Sequence, residues 1–287
     1  MKYVTRDGKF IYKNAKLDKS ASCLYNTPSG RFITNMLIRP EISKIGGAFL
    51  STRISGLLIK PFIKKNKIDM SDYESRKYTS YNDFFTRRAA EGARPFDYEP
   101  SHLVSPCDAK LSAVTVQENG LVRIKGCDYT IESLLRDEKL AKRYLGGTML
   151  IFRLTVDDYH RFFYIDNGRK SANRSLKGLY HAVNPIALEH TPVFRENHRT
   201  YSILASENFG RVLMMEVGAL MVGKIMNNHE ACNVRRGCEK GHFEFGGSTV
   251  ILIFEKDVVR LDTDIQKNLK DNLETIVKAG ERIGVRR

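Results

Sequence analysis

Lys240-Gly241-His242-Phe243-Glu244-Phe245-Gly246-Gly247-Ser248-Thr249-Val250-Ile251-Leu252-Ile253-Phe254 is the stretch on which the reading of this chain turns. It sets Gly-Gly-Ser-Thr between an alternating run and an apolar one, both with the pattern of β-strands. Two readings fit. In the first, Gly246-Gly247 is the turn of an ordinary hairpin. In the second, two residues without side chains allow a tight, strained path in which the backbone attacks itself. The Ser248 hydroxyl lies one bond path from the Gly247 carbonyl, and attack there converts the amide into an ester. Elimination at the serine then releases a new chain that begins with a pyruvoyl group, an electrophilic carbonyl made from the protein's own backbone. Short motifs match by chance, so the choice rests on the rest of the chain.

At 287 residues and 42% hydrophobic, the chain suits one large domain, or a core domain with a smaller appendage, and is too apolar for a disordered body. Its five cysteines (Cys23, Cys107, Cys127, Cys232 and Cys238) are odd in number, scattered, and contain no Cys-x-x-Cys pair. That argues against a disulfide framework or a zinc site and suits a reducing compartment. No apolar segment follows the basic residues of Met1-Lys2-Tyr3-Val4-Thr5-Arg6, so no signal peptide is expected; nor does any run approach the ~18 apolar residues of a membrane span. The expectation is a cytoplasmic protein. A net charge of +14 attracts nucleic acid, anionic lipid or another acidic partner without choosing among them. Its distribution says more: residues 29–67 carry eight basic side chains (Arg31, Arg39, Lys44, Arg53, Lys60, Lys64, Lys65 and Lys67) and one acid, Glu41.

Within that basic stretch, apolar clusters recur at spacings of three and four, which predicts amphipathic helices broken near Pro40, Gly46-Gly47 and Pro61. Such helices fit the interface of an anionic membrane, or pack on the rest of the protein; both remain open. Aromatic residues are not interleaved with the basic ones, so single-stranded nucleic acid is disfavoured. Strands are expected over 111–116, 121–125, 149–156, 176–183, 211–217 and 249–255. Helices are expected over 131–144, with acids early and bases late, and over 264–278. The polar stretch 69–81 marks a boundary, giving an N-terminal helical segment 1–75 and a body 76–287.

Further segments stand in order along the body: Asn82-Asp83-Phe84-Phe85-Thr86-Arg87, Gly92-Ala93-Arg94-Pro95, Ser105-Pro106-Cys107-Asp108-Ala109-Lys110, Asp158-Tyr159-His160-Arg161-Phe162-Phe163, Asp166-Asn167-Gly168, Val183-Asn184-Pro185, Glu216-Val217-Gly218-Ala219 and Val222-Gly223. With the Gly-Gly-Ser-Thr step closing the series, the chain resembles the phosphatidylserine decarboxylases, pyruvoyl-dependent enzymes that mature by cutting themselves at this kind of step. The resemblance covers roughly residues 80–260.

That resemblance implies cleavage between Gly247 and Ser248, leaving a large chain 1–247 and a small chain 248–287 capped by pyruvoyl. It implies a triad in which a carboxylate orients a histidine that activates the serine, with Asp108 and Ser248 in the first and last roles. The family's motif carries two histidines three residues apart. The first, tied to Schiff-base formation and decarboxylation, is His160; the second, which serves the triad, is Phe163 here and cannot move a proton. Ala109 stands where Gly is usual, and Lys224 where a small Ser is usual. His160 taking over as base, His242 serving instead, and slow or absent maturation are the three accounts of Phe163. The implied reaction converts phosphatidylserine to phosphatidylethanolamine and CO2 through a Schiff base to the pyruvoyl group of Ser248, with no external cofactor and no metal. The implied setting is peripheral, at the cytoplasmic face of the cell membrane, with a homodimer possible. Alternatives are a pyruvoyl decarboxylase of another amino acid or serine lipid, and a non-cleaving lipid-binding relative. The fold expected is α+β, N-terminal amphipathic helices on a largely antiparallel β body, with the cleavage step on a turn between strands.

Overall fold

The computed structural model describes residues 2–12, 27–124, 127–183, 192–219, 224–246 and 248–287. Cys23, Asn184-Pro185, His190, Val222-Gly223 and Gly247 lie outside the described residues. The N-terminal part is helical: α1 (Pro28–Leu37), α2 (Pro40–Leu50), a 3-10 turn (Arg53–Leu58) and α3 (Ile59–Asn66). Pro28 and Pro40 open their helices, where a missing N–H costs nothing. Pro61 sits in the first turn of α3 for the same reason, so it breaks nothing, and Gly46-Gly47 lies inside α2 rather than ending it. A short helix, α4 (Tyr81–Phe85), follows; the Ser80 hydroxyl caps it by accepting the Asp83 N–H at 3.1 Å.

The body is built on strands. In chain order these are β1 (Lys2–Val4), β2 (Phe10–Tyr12), β3 (His102–Val104), β4 (Ala109–Thr115), β5 (Leu121–Ile124), β6 (Cys127–Thr130) and β7 (Thr148–Leu154). Then come β8 (Arg161–Phe163), β9 (Gly168–Lys170), β10 (Arg174–Leu176), β11 (Arg199–Ser206), β12 (Gly210–Gly218), β13 (Ile225–Asn227) and β14 (Cys232–Val234). Last are β15 (Glu239–Phe243), β16 (Ser248–Phe254), β17 (Val259–Leu261), β18 (Glu274–Val277) and β19 (Arg282–Arg286). Among the described residues the main sheet runs β14-β9-β11-β12-β16-β7-β4-β18-β1-β2, with β10 on β11; the β1–β18 pair is parallel and its other pairs antiparallel. A smaller, three-stranded sheet runs β13-β15-β8. The class is therefore α+β with mostly antiparallel sheets.

β16 is buried along its whole length, with Val250 to Phe254 at 0% exposure, because it is a central strand covered on both faces. The expected helix over 131–144 is broken. It forms α5 (Ile131–Leu135) and α6 (Glu138–Ala141), with Arg136 left-handed at φ 50° and Asp137 capping the second piece. The expected helix over 264–278 stops at α8 (Thr263–Lys270), α7 being Val193–Glu196; Asn272 turns left-handed and the chain enters β18. The strand expected over 176–183 ends at Leu176. Gly178 lies against the backbone of residues 196–198, too close for any side chain, so the segment is held as a loop.

Candidate active site around Ser248

Ser248 is the first residue of β16, not the tip of a hairpin: β15 pairs with β13 and β8, β16 with β12 and β7, so residues 244–247 carry the chain from one sheet to another. Gly246 has φ +136°, a conformation that favours glycine. Across the main sheet Ser248 pairs with Gly218 on one side and Leu154 on the other. Gly218 sends its N–H to the His198 carbonyl (2.9 Å) and its own carbonyl to the Asn197 amide (2.7 Å), both away from β16. The two residues thus face each other as a non-hydrogen-bonded pair, while the Ser248 backbone turns to β7. A Cβ at 218 would come within 3.1 Å of the Tyr180 ring, a tight contact that the ring would have to yield to. The Ser248 hydroxyl is fully buried and has no hydrogen-bond partner among the described residues.

His160 lies just before β8. Its carbonyl accepts the Phe243 N–H at the end of β15 (2.9 Å), and its ring lies on Phe85 at 4.0 Å between centroids. Phe85 in turn packs on Phe245 of the connecting segment. The Nδ1 of His160 is 2.9 Å from the Asp158 carbonyl, which only accepts, so Nδ1 carries the proton and Nε2 presents a lone pair. Among the described residues Nε2 is buried and without a partner, as is the Ser248 hydroxyl. Burial pushes the imidazole down to about 3, which keeps the ring neutral across ordinary pH.

The 155–160 turn is fastened from two sides. Lys110 reaches the Asp158 carboxylate at 2.5 Å and the Thr155 hydroxyl at 2.7 Å, while Arg87 donates to the carbonyls of Asp157 and Asp158 at 3.2 Å. Arg161 binds the Thr86 carbonyl at the end of α4 and the Glu239 carboxylate on β15. Residue type and spacing alone assign Arg87, Lys110, Asp158 and Arg161 no role; only the fold shows which distant group each buried charge is paired with.

Asp108 stands apart from His160. Arg94 grips its carboxylate through Nε (3.0 Å) and Nη2 (2.8 Å), and the Ala279 N–H donates to it at 2.9 Å. No hydrogen bond joins it to either His160 or Ser248. Phe163 occupies the space near the Asp108 turn: its N–H donates to the Pro106 carbonyl (2.8 Å), and its ring packs on Phe96 and Tyr159. Cys107 is fully buried, and burial pushes its thiol up, as suits a packed rather than a nucleophilic cysteine. His242 Nδ1 lies 3.8 Å from the Glu239 carboxylate, and Lys224 is exposed, touching the connecting segment through its carbonyl, which accepts the Glu244 N–H. A buried pair that the sequence did not announce, Glu216–Lys240 at 2.8 Å, ties β12 to β15 on either side of that segment.

Residues 81–285 match the family model described as phosphatidylserine decarboxylase. The chain belongs to the phosphatidylserine decarboxylase family. It is 46% identical over 274 residues to the phosphatidylserine decarboxylase proenzyme 2 of Clostridium acetobutylicum, covering 95% of this chain and 92% of that one. To the proenzyme of Ruminiclostridium cellulolyticum it is 44% identical, covering 91% and 89%. To that of Clostridium botulinum it is 40% identical over the full length of both.

Proposed function

We propose that this chain is a phosphatidylserine decarboxylase proenzyme, a carboxy-lyase that cuts itself between Gly247 and Ser248 and carries a pyruvoyl group made from Ser248. Family membership over most of the chain supports the activity. The observation that carries the site is the Ser248 hydroxyl, buried without a partner among the described residues at the start of a central strand, after a segment whose Phe245 packs on the same Phe85 ring as His160. Burying a hydroxyl unpaired costs ~1–3 kcal/mol, a cost expected where a group is kept free to react.

In the cut, Ser248 Oγ attacks the Gly247 carbonyl carbon and the peptide nitrogen leaves, giving an ester. Removal of the Ser248 Cα proton then expels the Gly247 carboxylate and leaves a dehydroalanine. Water replaces its nitrogen, released as ammonia, and yields the pyruvoyl cap. His160 Nε2 is the acceptor for the hydroxyl proton, with Nδ1 held by the Asp158 carbonyl. Asp108, braced by Arg94, holds the small-chain residue Ala279 and acts on the site through that loop. Once formed, the pyruvoyl carbonyl supplies an electron sink for the loss of CO2. The large chain is 1–247, the small chain 248–287, and the ladder from Ser248 to β7 keeps the new terminus in place after the cut.

The segment 1–75 is the membrane-facing part of this reading. Phe32, Met36, Ile45, Phe49, Ile54 and Leu57 are each more than half exposed, among exposed Arg39, Lys44, Arg53, Lys60, Lys64 and Lys65. Apolar side chains ringed by cations suit an anionic bilayer surface, where the lipid substrate resides. No described helix is long and apolar enough to cross a membrane; the placement is peripheral, at the cytoplasmic face.

Intact mass of the purified protein tests the reading. Two chains joining at 247/248, the smaller lacking a free amine, are expected, with Ser248→Ala remaining at 32.8 kDa. A single uncut parent chain would overturn it and favour the non-cleaving lipid-binding relative that Phe163 suggests.

A further inference from the structure

Residues 244–246 lead from a strand of one sheet towards a strand of another, and past Glu244, whose N–H the Lys224 carbonyl accepts at 3.0 Å, no strand ladder holds them among the described residues. Self-cleavage nonetheless needs the Gly247 carbonyl held against Ser248 Oγ at roughly 3–3.5 Å, and a 1 Å error costs about 100-fold. Phe245 is held from outside both sheets, by α4. The Phe245 N–H donates to Asn82 Oδ1 at 3.1 Å. The Phe245 ring sits edge-on between Tyr81 (5.0 Å, 82°) and Phe85 (5.3 Å, 70°). The same Phe85 ring carries His160. Helix α4 is itself anchored: Ser80 caps it, the Ser55 hydroxyl accepts the Tyr81 N–H at 2.9 Å, and Phe62 of α3 packs on Tyr81 at 5.3 Å.

We propose that Asn82 is a positioning residue for self-cleavage, forming with Tyr81 and Phe85 the seat that holds Phe245 two residues before the scissile carbonyl. The proposal rests on the reading of Ser248 as the cleavage residue. Asn82 does no chemistry; it supplies an acceptor for one backbone N–H and so fixes Phe245, the point from which the two glycines lead to Ser248. The seat and the histidine move as one body, because both rest on α4.

The test follows the uncut chain with time after cell-free synthesis. Asn82→Leu, which keeps the volume and removes the acceptor, is expected to cut about 10–100-fold more slowly than the parent. Asn82→Asp, which keeps an acceptor oxygen, is expected to cut within a few-fold of the parent, a rescue that a merely bulky or structural role would not produce. Cutting by Asn82→Leu at the parental rate, or by Asn82→Asp as slowly as Asn82→Leu, overturns the proposal. A second readout does not need cleavage. In a Ser248→Ala background, chymotrypsin is expected to nick after Phe245 faster in Asn82→Leu than in Ser248→Ala alone, with unchanged thermal unfolding; equal nicking rates overturn the seat. If the parent never cuts itself, the reading of Ser248 falls while this second measurement still decides the seat.

Discussion

His160 combines two properties that pull apart. Its Nε2 lone pair is free and its Nδ1 proton is engaged, which suits a base, yet burial lowers its proton affinity, which weakens one. The same burial links it to stability. With a folded value of about 3 against an ordinary 6.5, the unfolded chain binds the proton first on acidification. Stability is therefore complete above the ordinary range and is lost as pH falls from about 6.5 towards 3; the loss at pH 5 is about 2 kcal/mol. Unfolding in denaturant at pH 7 and pH 5 checks this, and His160→Gln is expected to flatten the difference. Phe163 gives a second residue-level expectation. Its backbone is tied to the Asp108 turn at Pro106, so Phe163→His returns a titratable ring beside that turn. Cleavage is expected to accelerate, within the roughly 10²–10⁴-fold that general base catalysis supplies. An unchanged rate in a time course of intact mass would show that position 163 plays no part in the cut.

At the scale of elements, the N-terminal helices have two faces with different duties. Leu50 and Ile59 are buried, and Phe62 packs on Tyr81 and Phe84, so deleting the whole segment would strip the seat of α4 along with the surface proposed to face lipid. Ile54 and Leu57, 71% and 79% exposed, can be changed without touching that cluster. Ile54→Asp with Leu57→Asp is expected to abolish sedimentation with phosphatidylserine vesicles and to leave self-cleavage and thermal unfolding as in the parent. Binding equal to the parent's would remove these two side chains from the lipid contact. The buried Glu216–Lys240 pair works between elements. Lys240→Met removes the cation that balances Glu216 in the core and leaves its carboxyl only the Asn227 amide, and is expected to cost about 3–5 kcal/mol in denaturant unfolding.

At the scale of the molecule, the proposed cut would not divide the fold. Residues 248–287 supply β16 between β12 and β7, β18 between β4 and β1, and β19 on β3. Arg6, on the other side of the proposed cut, binds Asp262, Asp264 and Glu281. Arg153 of β7 binds Glu274 of β18 in the core. The two chains are therefore expected to co-elute on gel filtration in buffer and to separate only in denaturant; separation in buffer would mean that the strands do not interleave as described.

Local chemistry determined much of this. The Gly-Gly-Ser-Thr step, the ordered motifs and the apolar run after Ser248 were legible because each depends on residue type and spacing alone, and they sufficed for the family, the antiparallel α+β class and β4, β7, β12 and β16 to within two residues at either end. Tertiary structure decided what spacing cannot encode. It broke the helix over 131–144 at Arg136 and ended the strand over 176–183 at Leu176, where packing overrode periodicity. It made the glycine step a crossing between sheets rather than a hairpin, since strand pairing is a long-range choice. It also gave Asp108 to Arg94, the His160 tautomer to a backbone carbonyl, and Phe245 to Asn82, more than 160 residues away in sequence. A hydrogen bond needs two groups within ~3 Å, and only the folded chain says which distant groups meet.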